Sequence, residues 1–200
     1  MSSLLANNVY KMSNPELIGL AKNRWLPADV QLAIAKNPYR RAHEYLCENE
    51  GLQPVARDYL WSDQCNKGYT LKALLLTCGH YDDRPDKYVQ LYDKHPGAWG
   101  RSPWRMSRAF LGGSYYYRQK QDINVGCPAE LLHRIYDEKM HPRIGELRSS
   151  RYSSYYGFST YDIERLVQHP NADITLAIKL STCGVDAVQK LAFKKIVELS

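Results

Sequence analysis

LIGLAKNRWLPADVQLAIAKNP, residues 17–38, decides how this chain is read. Two apolar stretches, each closing on Lys-Asn, are separated by Trp25-Leu26-Pro27. Ile18 and Ala21, then Val30, Ala33 and Ile34, fall at three- and four-residue steps, which is the helical period. A lysine followed by an asparagine suits a helix C-terminus. The cation faces the negative end of the dipole, and asparagine tolerates the left-handed conformation there. Pro38 has no amide proton to donate and keeps its predecessor out of the α conformation. The stretch therefore predicts two short helices joined by a tight turn.

The same phrase recurs along the chain. VQLAIAKNP (30–38), YVQLYDKHP (88–96), LLHRIYDEKMHP (131–142) and IERLVQHP (163–170) each predict a helix halted at Asn-Pro or His-Pro. Asn14-Pro15 opens the first helix, and ProAlaAsp (27–29) and AsnAlaAsp (171–173) open later ones. Helical stripes continue in Ala42, Tyr45 and Leu46, in Val55, Tyr59 and Leu60, in Ile174, Ala177 and Ile178, and in Val188, Leu191, Ala192, Lys195 and Ile196. Asn23, Asn37 and Asn49 follow one another at nearly equal, short intervals. Helices this short bury little alone and must stack. No segment alternates as a strand flanked by hairpin turns. The predicted fold class is all-α, with short helices stacked in a solenoid-like array.

With its LAxN, LP-x-D-V and LAxNP-like beats, residues 15–62 resemble the leucine-rich repeat variant family, an α-solenoid akin to HEAT and armadillo repeats. The likeness returns more weakly over 163–198, in LVQHPNADITLAIKLS and VDAVQKLAFKK, and does not cover 97–160. The resemblance implies a curved stack of short helices used for binding. It brings no catalytic set. An iron–sulphur cluster occurs in at least one member through a separate cysteine cluster, which this chain lacks.

The middle of the chain breaks the rhythm. Gly97, Gly100, Gly112, Gly113 and Gly126, with Pro103 and Pro128, punctuate 97–130. Ser102 as N-cap and Pro103 at the first position predict a helix near 103–111, ended by Gly112-Gly113. ProAlaGlu (128–130) begins the helix that ends at His141-Pro142, and Thr160 starts one over 161–168. The expected organisation is one all-α domain over 1–200: helical repeats over 15–96, a basic aromatic insertion over 97–160 and a C-terminal helical repeat over 161–200.

Charge is concentrated in that insertion. The chain is +6 overall, yet residues 101–156 hold ten Lys and Arg against five Asp and Glu, and seven of the sixteen tyrosines. Arg101, Arg105 and Arg108 are spaced by four and three, which predicts one helical face. Tyr115, Tyr116, Tyr117, Arg118 and Lys120 extend the surface, as do Arg148, Arg151, Tyr152, Tyr155 and Tyr156 from RSSRYSSYYGFS (148–159). Guanidinium forks match phosphate oxygens and tyrosine rings stack on unpaired bases, which points to nucleic acid or another acidic partner. The same residue types anchor protein interfaces, and tyrosine and arginine are equally at home as packing and solvated residues.

Other chemistry is sparse. Cys47, Cys65, Cys78, Cys127 and Cys183 are odd in number, show no CxxC spacing, and read as separate thiols of a reducing, cytoplasmic compartment. The most apolar stretch, LKALLL (71–76), falls far short of the ~20 residues a membrane span needs, and the N-terminal residues lack the pattern of a signal peptide. His43 and Cys47 share a helix face without a third group. His80, Asp82 and Asp83 read as a polar turn before they read as a metal site. His95, His141 and His169 precede proline and suggest structural duty. Phosphate-loop, GxSxG and HExxH motifs are absent from the sequence. Neither a catalytic residue nor a metal ligand nor a cofactor is expected. The expected function is non-enzymatic binding by a regulator or adaptor, with nucleic acid as the leading partner. A protein scaffold within a larger viral or bacterial assembly is the alternative. A HEAT-like DNA glycosylase, for which Trp25, Trp61, Asp63, Trp99 and Trp104 supply the residue types, stands third.

Overall fold

The computed structural model describes residues 3–62, 64–65, 68–112, 125–144 and 159–200. Among these residues every regular element is helical, so the all-α expectation holds. None of the described helices is long and apolar enough to cross a membrane. The chain divides into two compact units, Met1–His80 and Tyr81–Ser200, and the sequence break at 96/97 falls inside the second.

Among the described residues of the first unit six short α-helices follow one another: α1 (Leu4–Asn8), α2 (Asn14–Ala21), α3 (Ala28–Lys36), α4 (Arg40–Cys47), α5 (Pro54–Trp61) and α6 (Thr70–Thr77). Ser13 and Glu16 form a capping box at the start of α2, with Pro15 in its first turn, as Asn14-Pro15 predicts. Each helix packs on its next-but-one neighbour: α1 on α3 and α3 on α5, α2 on α4 and α4 on α6. Two rows result, with Leu17, Val30, Ile34, Leu46, Leu60 and Leu75 sealed between them.

The row geometry repeats at the interval that separates Asn23 from Asn49, 26 positions along the chain. Lys22 donates its backbone N–H to Ile18 and Leu20, and Glu48, one interval on, donates to Glu44 and Leu46. Val30 and Ala56, and Ile34 and Leu60, are equivalent pairs at the same spacing, all wholly buried. Cys78 repeats the cap a third time, to Leu74 and Leu76, after the longer connection between α5 and α6.

Asparagine halts these helices in a way the sequence reading does not anticipate. Asn37 is extended (φ −68°, ψ 141°), not left-handed. Its Oδ1 accepts the N–H of Tyr39 at 2.9 Å, and Pro38 holds it out of the helical region. Asn23 accepts from Trp25 at 3.0 Å and Asn49 from Gly51 at 2.8 Å in the same turn. Successive turns are then pinned to one another. Asn49 Nδ2 donates to the carbonyls of Ala21 (2.8 Å) and Asn23 (3.0 Å), and His80 Nε2 donates to that of Cys47 (2.7 Å), the equivalent of Ala21 one interval later. Gln31, wholly buried, donates to Leu26 and Gly51 and accepts from the N–H of Gln53. A Cβ on Gly51 would run into the backbone carbonyl of Arg24, so two turns meet here main chain against main chain.

The second unit holds α7 (Pro85–Lys94), α8 (Ala98–Arg101), α9 (Pro103–Leu111), α10 (Ala129–Ile135), α11 (Thr160–Gln168), α12 (Ile174–Ser181) and α13 (Asp186–Leu199). Four rings from α7, α8 and α9 form one part of its core. Phe110 stacks on Trp99 at 5.5 Å and meets Tyr88 and Tyr92 edge-on at 6.1 and 6.0 Å. In the other part α12 and α11 pack on α13, and α11 also reaches α9.

Gly112, at φ 82°, ends α9 as the sequence predicts, and α7, α3 and α11 stop before His95, Asn37 and His169. The halt at His141-Pro142 fails. The chain runs on from α10 through a π-helical turn, Tyr136–Met140, into a 3-10 turn, His141–Arg143. The His141 N–H reaches back to the Tyr136 carbonyl. Pro142 then falls at the start of a new turn, where an amide proton is not required. The cap of α11 is Ser159, immediately ahead of the expected Thr160. Its hydroxyl accepts the Asp162 N–H, and Asp162 in return accepts the Ser159 N–H at 2.8 Å.

Candidate functional site

The expected triple-arginine face is divided by the backbone. Arg101 closes α8, and Ser102 (φ −150°, ψ 64°) turns the chain before α9 begins. Arg105 and Arg108 share α9, one turn apart, while Arg101 stands on another helix. Arg101 is exposed and the other two are half-buried, so none is sealed inside. Arg105 and Arg108 lie on the flank of a helix whose Met106, Ala109 and Phe110 face the core. Tyr115, Tyr116, Tyr117, Arg118, Lys120, Arg148, Arg151, Tyr152, Tyr155 and Tyr156 lie outside the described residues.

Cationic and aromatic pairs, not singled out in the sequence, lie on the first unit. The Lys22 ammonium sits 4.4 Å from the Tyr45 ring centre, Lys36 5.8 Å from Tyr59, and the Arg24 guanidinium 4.8 Å from Trp25. Lys22–Tyr45 and Lys36–Tyr59 have the same separation in the sequence, one pair on each row of helices. In both, a lysine ending one helix reaches the tyrosine of the next helix in its row. Contacts of this kind at exposed sites are worth about 0.5–1 kcal/mol each. Trp25 is 79% exposed, which leaves most of its ring to solvent.

Lys36 and Tyr59 also line a cavity of about 380 Å³, together with Asn37, Arg40, His43, Gln64 and Cys65. His43 comes from α4 and is almost wholly buried. Its Nε2 donates to the Asn37 carbonyl at 2.6 Å, which fixes the proton on that nitrogen and leaves Nδ1 as an acceptor. The Cys65 thiol lies 3.8 Å from Nδ1 and 3.8 Å from the Ala35 carbonyl. Burial holds the His43 imidazole below its ordinary range and pushes the Cys65 thiol above its own. Both groups are therefore neutral near pH 7. Helical spacing allows His43 to meet Cys47, but the thiol beside its Nδ1 is that of Cys65. Cys47 is wholly buried, and desolvation raises its thiol well above the usual range. Sequence spacing could not reveal Cys65, because it sits 22 residues from His43 in an irregular connection.

In the second unit a cavity of about 580 Å³ is lined by Tyr136, Asp137, His141, Lys179, Thr182 and Cys183, beside the π-helical turn. Lys179 and Asp137 pair across it at 2.8 Å. Burial pushes the Tyr136 hydroxyl up to about 12, so it stays protonated.

The remaining candidates resolve as structural parts. His80 is engaged with Cys47, and Asp82 accepts from the Tyr88 hydroxyl at 3.0 Å. Among the described residues no group of three or more His, Cys, Asp or Glu is placed to hold a metal. His169 takes the asparagine role at its turn, its Nδ1 accepting the Asn171 N–H at 3.1 Å. Of the tryptophans named for a base-excising site, Trp61 and Trp99 are buried in their cores and Trp25 is exposed; Asp63 and the Trp104 side chain lie outside what is described. Comparison with protein-family models, with curated proteins and with solved structures finds no match for this chain.

Proposed function

We propose that this chain is a helical-repeat binding protein whose first unit is a two-row solenoid and whose partner carries phosphate or other acidic groups. The observation that carries the reading is the regular repetition of cap, turn and buried positions across α2–α5, in helices that stack on next-but-one neighbours. Repeats of this kind build an extended surface out of equivalent exposed positions. Exposed positions of this unit hold Lys22, Arg24, Trp25, Lys36, Arg40 and Arg41 near Tyr45 and Tyr59, while Glu48 and Glu50 stand one interval after Lys22 and Arg24. The basic, tyrosine-rich stretch 101–156 adds a net surplus of positive charge. Cations with adjacent rings suit a single-stranded nucleic acid, whose phosphates and bases take both groups.

Fluorescence anisotropy with a labelled single-stranded oligonucleotide tests this. Affinity is expected to drop steeply, about ten-fold or more, between about 50 and 200 mM salt, as several phosphate contacts require. Trp25→Ala with Lys22→Gln and Lys36→Gln is expected to weaken binding uniformly across sequences. Binding insensitive to salt, or unaffected by that triple change, removes the nucleic-acid reading. A protein scaffold is the second reading. It is favoured by Ile178, Phe193 and Val197 on α12 and α13, which are all more than half exposed. Loss of a protein complex on Phe193→Ser and Val197→Ser would select it.

A further inference from the structure

The Cys65–His43 pair is not required by a binding role. We propose that Cys65 is a dormant nucleophilic thiol, activated by His43, that accepts a mixed disulfide from a carboxylate-bearing low-molecular-weight disulfide entering the cavity of the first unit. Three features of that cavity carry the assignment. Cys65 is partly exposed at a space of about 380 Å³, large enough for a peptide-sized reagent. The His43 tautomer is fixed by its donation to Asn37, so a lone pair on Nδ1 faces the thiol. Lys36 and Arg40 stand at the rim, with Glu44 the acid facing Arg40, at 4.0 Å. The rim thus favours an anionic reagent over a neutral or cationic one.

The step balances without a further redox partner. Nδ1 of His43 takes the Cys65 thiol proton as Sγ attacks one sulfur of the reagent. The reagent's S–S bond breaks and a new one forms to Cys65. The departing thiolate takes the proton back from His43 and leaves as a thiol. Cys65 is oxidised and the departing half is reduced. Burial keeps Cys65 protonated at rest, which is why the step needs the imidazole. Burial also keeps the imidazole neutral and able to serve as the base. The other thiols are less available: Cys47 and Cys127 are wholly buried, Cys183 nearly so, and Cys78 is pushed up to about 12.

The test is the native full chain treated with glutathione disulfide, with modified cysteines identified by peptide mass spectrometry over time. Bis(2-hydroxyethyl) disulfide and cystamine serve as neutral and cationic comparisons. Cys65 is expected to react first, and Cys65→Ser to abolish the fast phase. Lys36→Gln with Arg40→Gln, both exposed, is expected to slow the anionic reagent several-fold and leave the neutral one unchanged. His43→Gln, checked for native circular dichroism, is expected to slow all three reagents. The proposal fails if another cysteine reacts as fast as Cys65, if the rim variant leaves the charge preference intact, or if a folded His43→Gln reacts at the wild-type rate.

Discussion

The two units solve the same problem with different materials. In the first, α2–α6, of eight or nine residues each, are aligned by polar side chains that reach from one turn to the backbone of another: Asn49 to Ala21 and Asn23, Gln31 to Gly51, His80 to Cys47. In the second, the rings of Tyr88, Tyr92, Trp99 and Phe110 interlock, and buried Ser107 and His169 add polar ties of their own. One device is common to both. Asn171 Nδ2 spans the carbonyls of Val125 and Cys127, both at 2.8 Å, as Asn49 spans those of Ala21 and Asn23. The glycine between the Val125 and Cys127 carbonyls, Gly126, has Asp82 and Tyr88 where a Cβ would go. Asn49 is nearly buried, whereas Asn171 is exposed. In the first unit one tie recurs, from Asn49 to Ala21 and from His80 to Cys47, so directional bonds help set the alignment of the turns. In the second unit ring packing carries more of that task.

The sharpest way to break this contrast is Phe110→Ala. It removes the ring that touches three others and is expected to cost the second unit about 3–5 kcal/mol. Hydrogen exchange should then lose protection within 81–200 while α2–α5 keep theirs; equal loss in both units would mean they are not separate in energy. Gly51→Ala attacks the first unit where two backbones meet. Its expected cost is about 1–3 kcal/mol, measured by urea unfolding, because the chain must shift to admit one methyl group. Asn49→Ala removes the donor from the buried Ala21 carbonyl and the part-buried Asn23 carbonyl, for about 1–3 kcal/mol. Asn171→Ala, at an exposed site, should cost less than about 1 kcal/mol. Equal losses would show that exposure does not decide the value of this tie.

The smallest effect is in pH. Desolvation lowers the His43 and His80 imidazoles below their ordinary 6.5, so the unfolded chain binds more protons than the folded one in that range. Stability of the first unit should be fully present above pH 6.5 and decline as pH falls through the folded values. In the second unit the Tyr92 hydroxyl holds the Glu138 carboxyl low, and the Leu176 N–H does the same for Asp173. Stability linked to those two carboxyls is retained until pH falls below about 4. Melting curves of the wild type and of His43→Gln with His80→Gln, across pH 4–8, check the near-neutral part.

Much of the helical layout was legible because its signals are local. Proline at 38, 96 and 170 stops a helix wherever the rest of the chain goes, and Ser102-Pro103 starts one. The failure at Pro142 shows the limit: a π-helical turn carries the chain past the end of α10, and the proline falls in the 3-10 turn that follows, which no local signal announces. Similarly, Arg101 joins Arg105 and Arg108 by count, but a single non-helical residue, Ser102, puts it on another helix.

The amino-acid sequence alone determined that the described residues form mostly brief helices, where several of them end, and that Ala21, Val30, Ile34, Leu46 and Leu60 face inward, whereas Val55, Ile174 and Ile178 of the same apolar stripes are exposed. Those outcomes follow from the torsional limits of proline and from apolar period, which act over a few residues. Only the tertiary structure decided that the turns at Asn23 and Asn49 are equivalent, that asparagines tie them together, and that His43 faces Cys65 instead of Cys47. Such pairings depend on how rows of helices register against one another. Register is fixed by packing across the whole unit, which no stretch of a few residues contains.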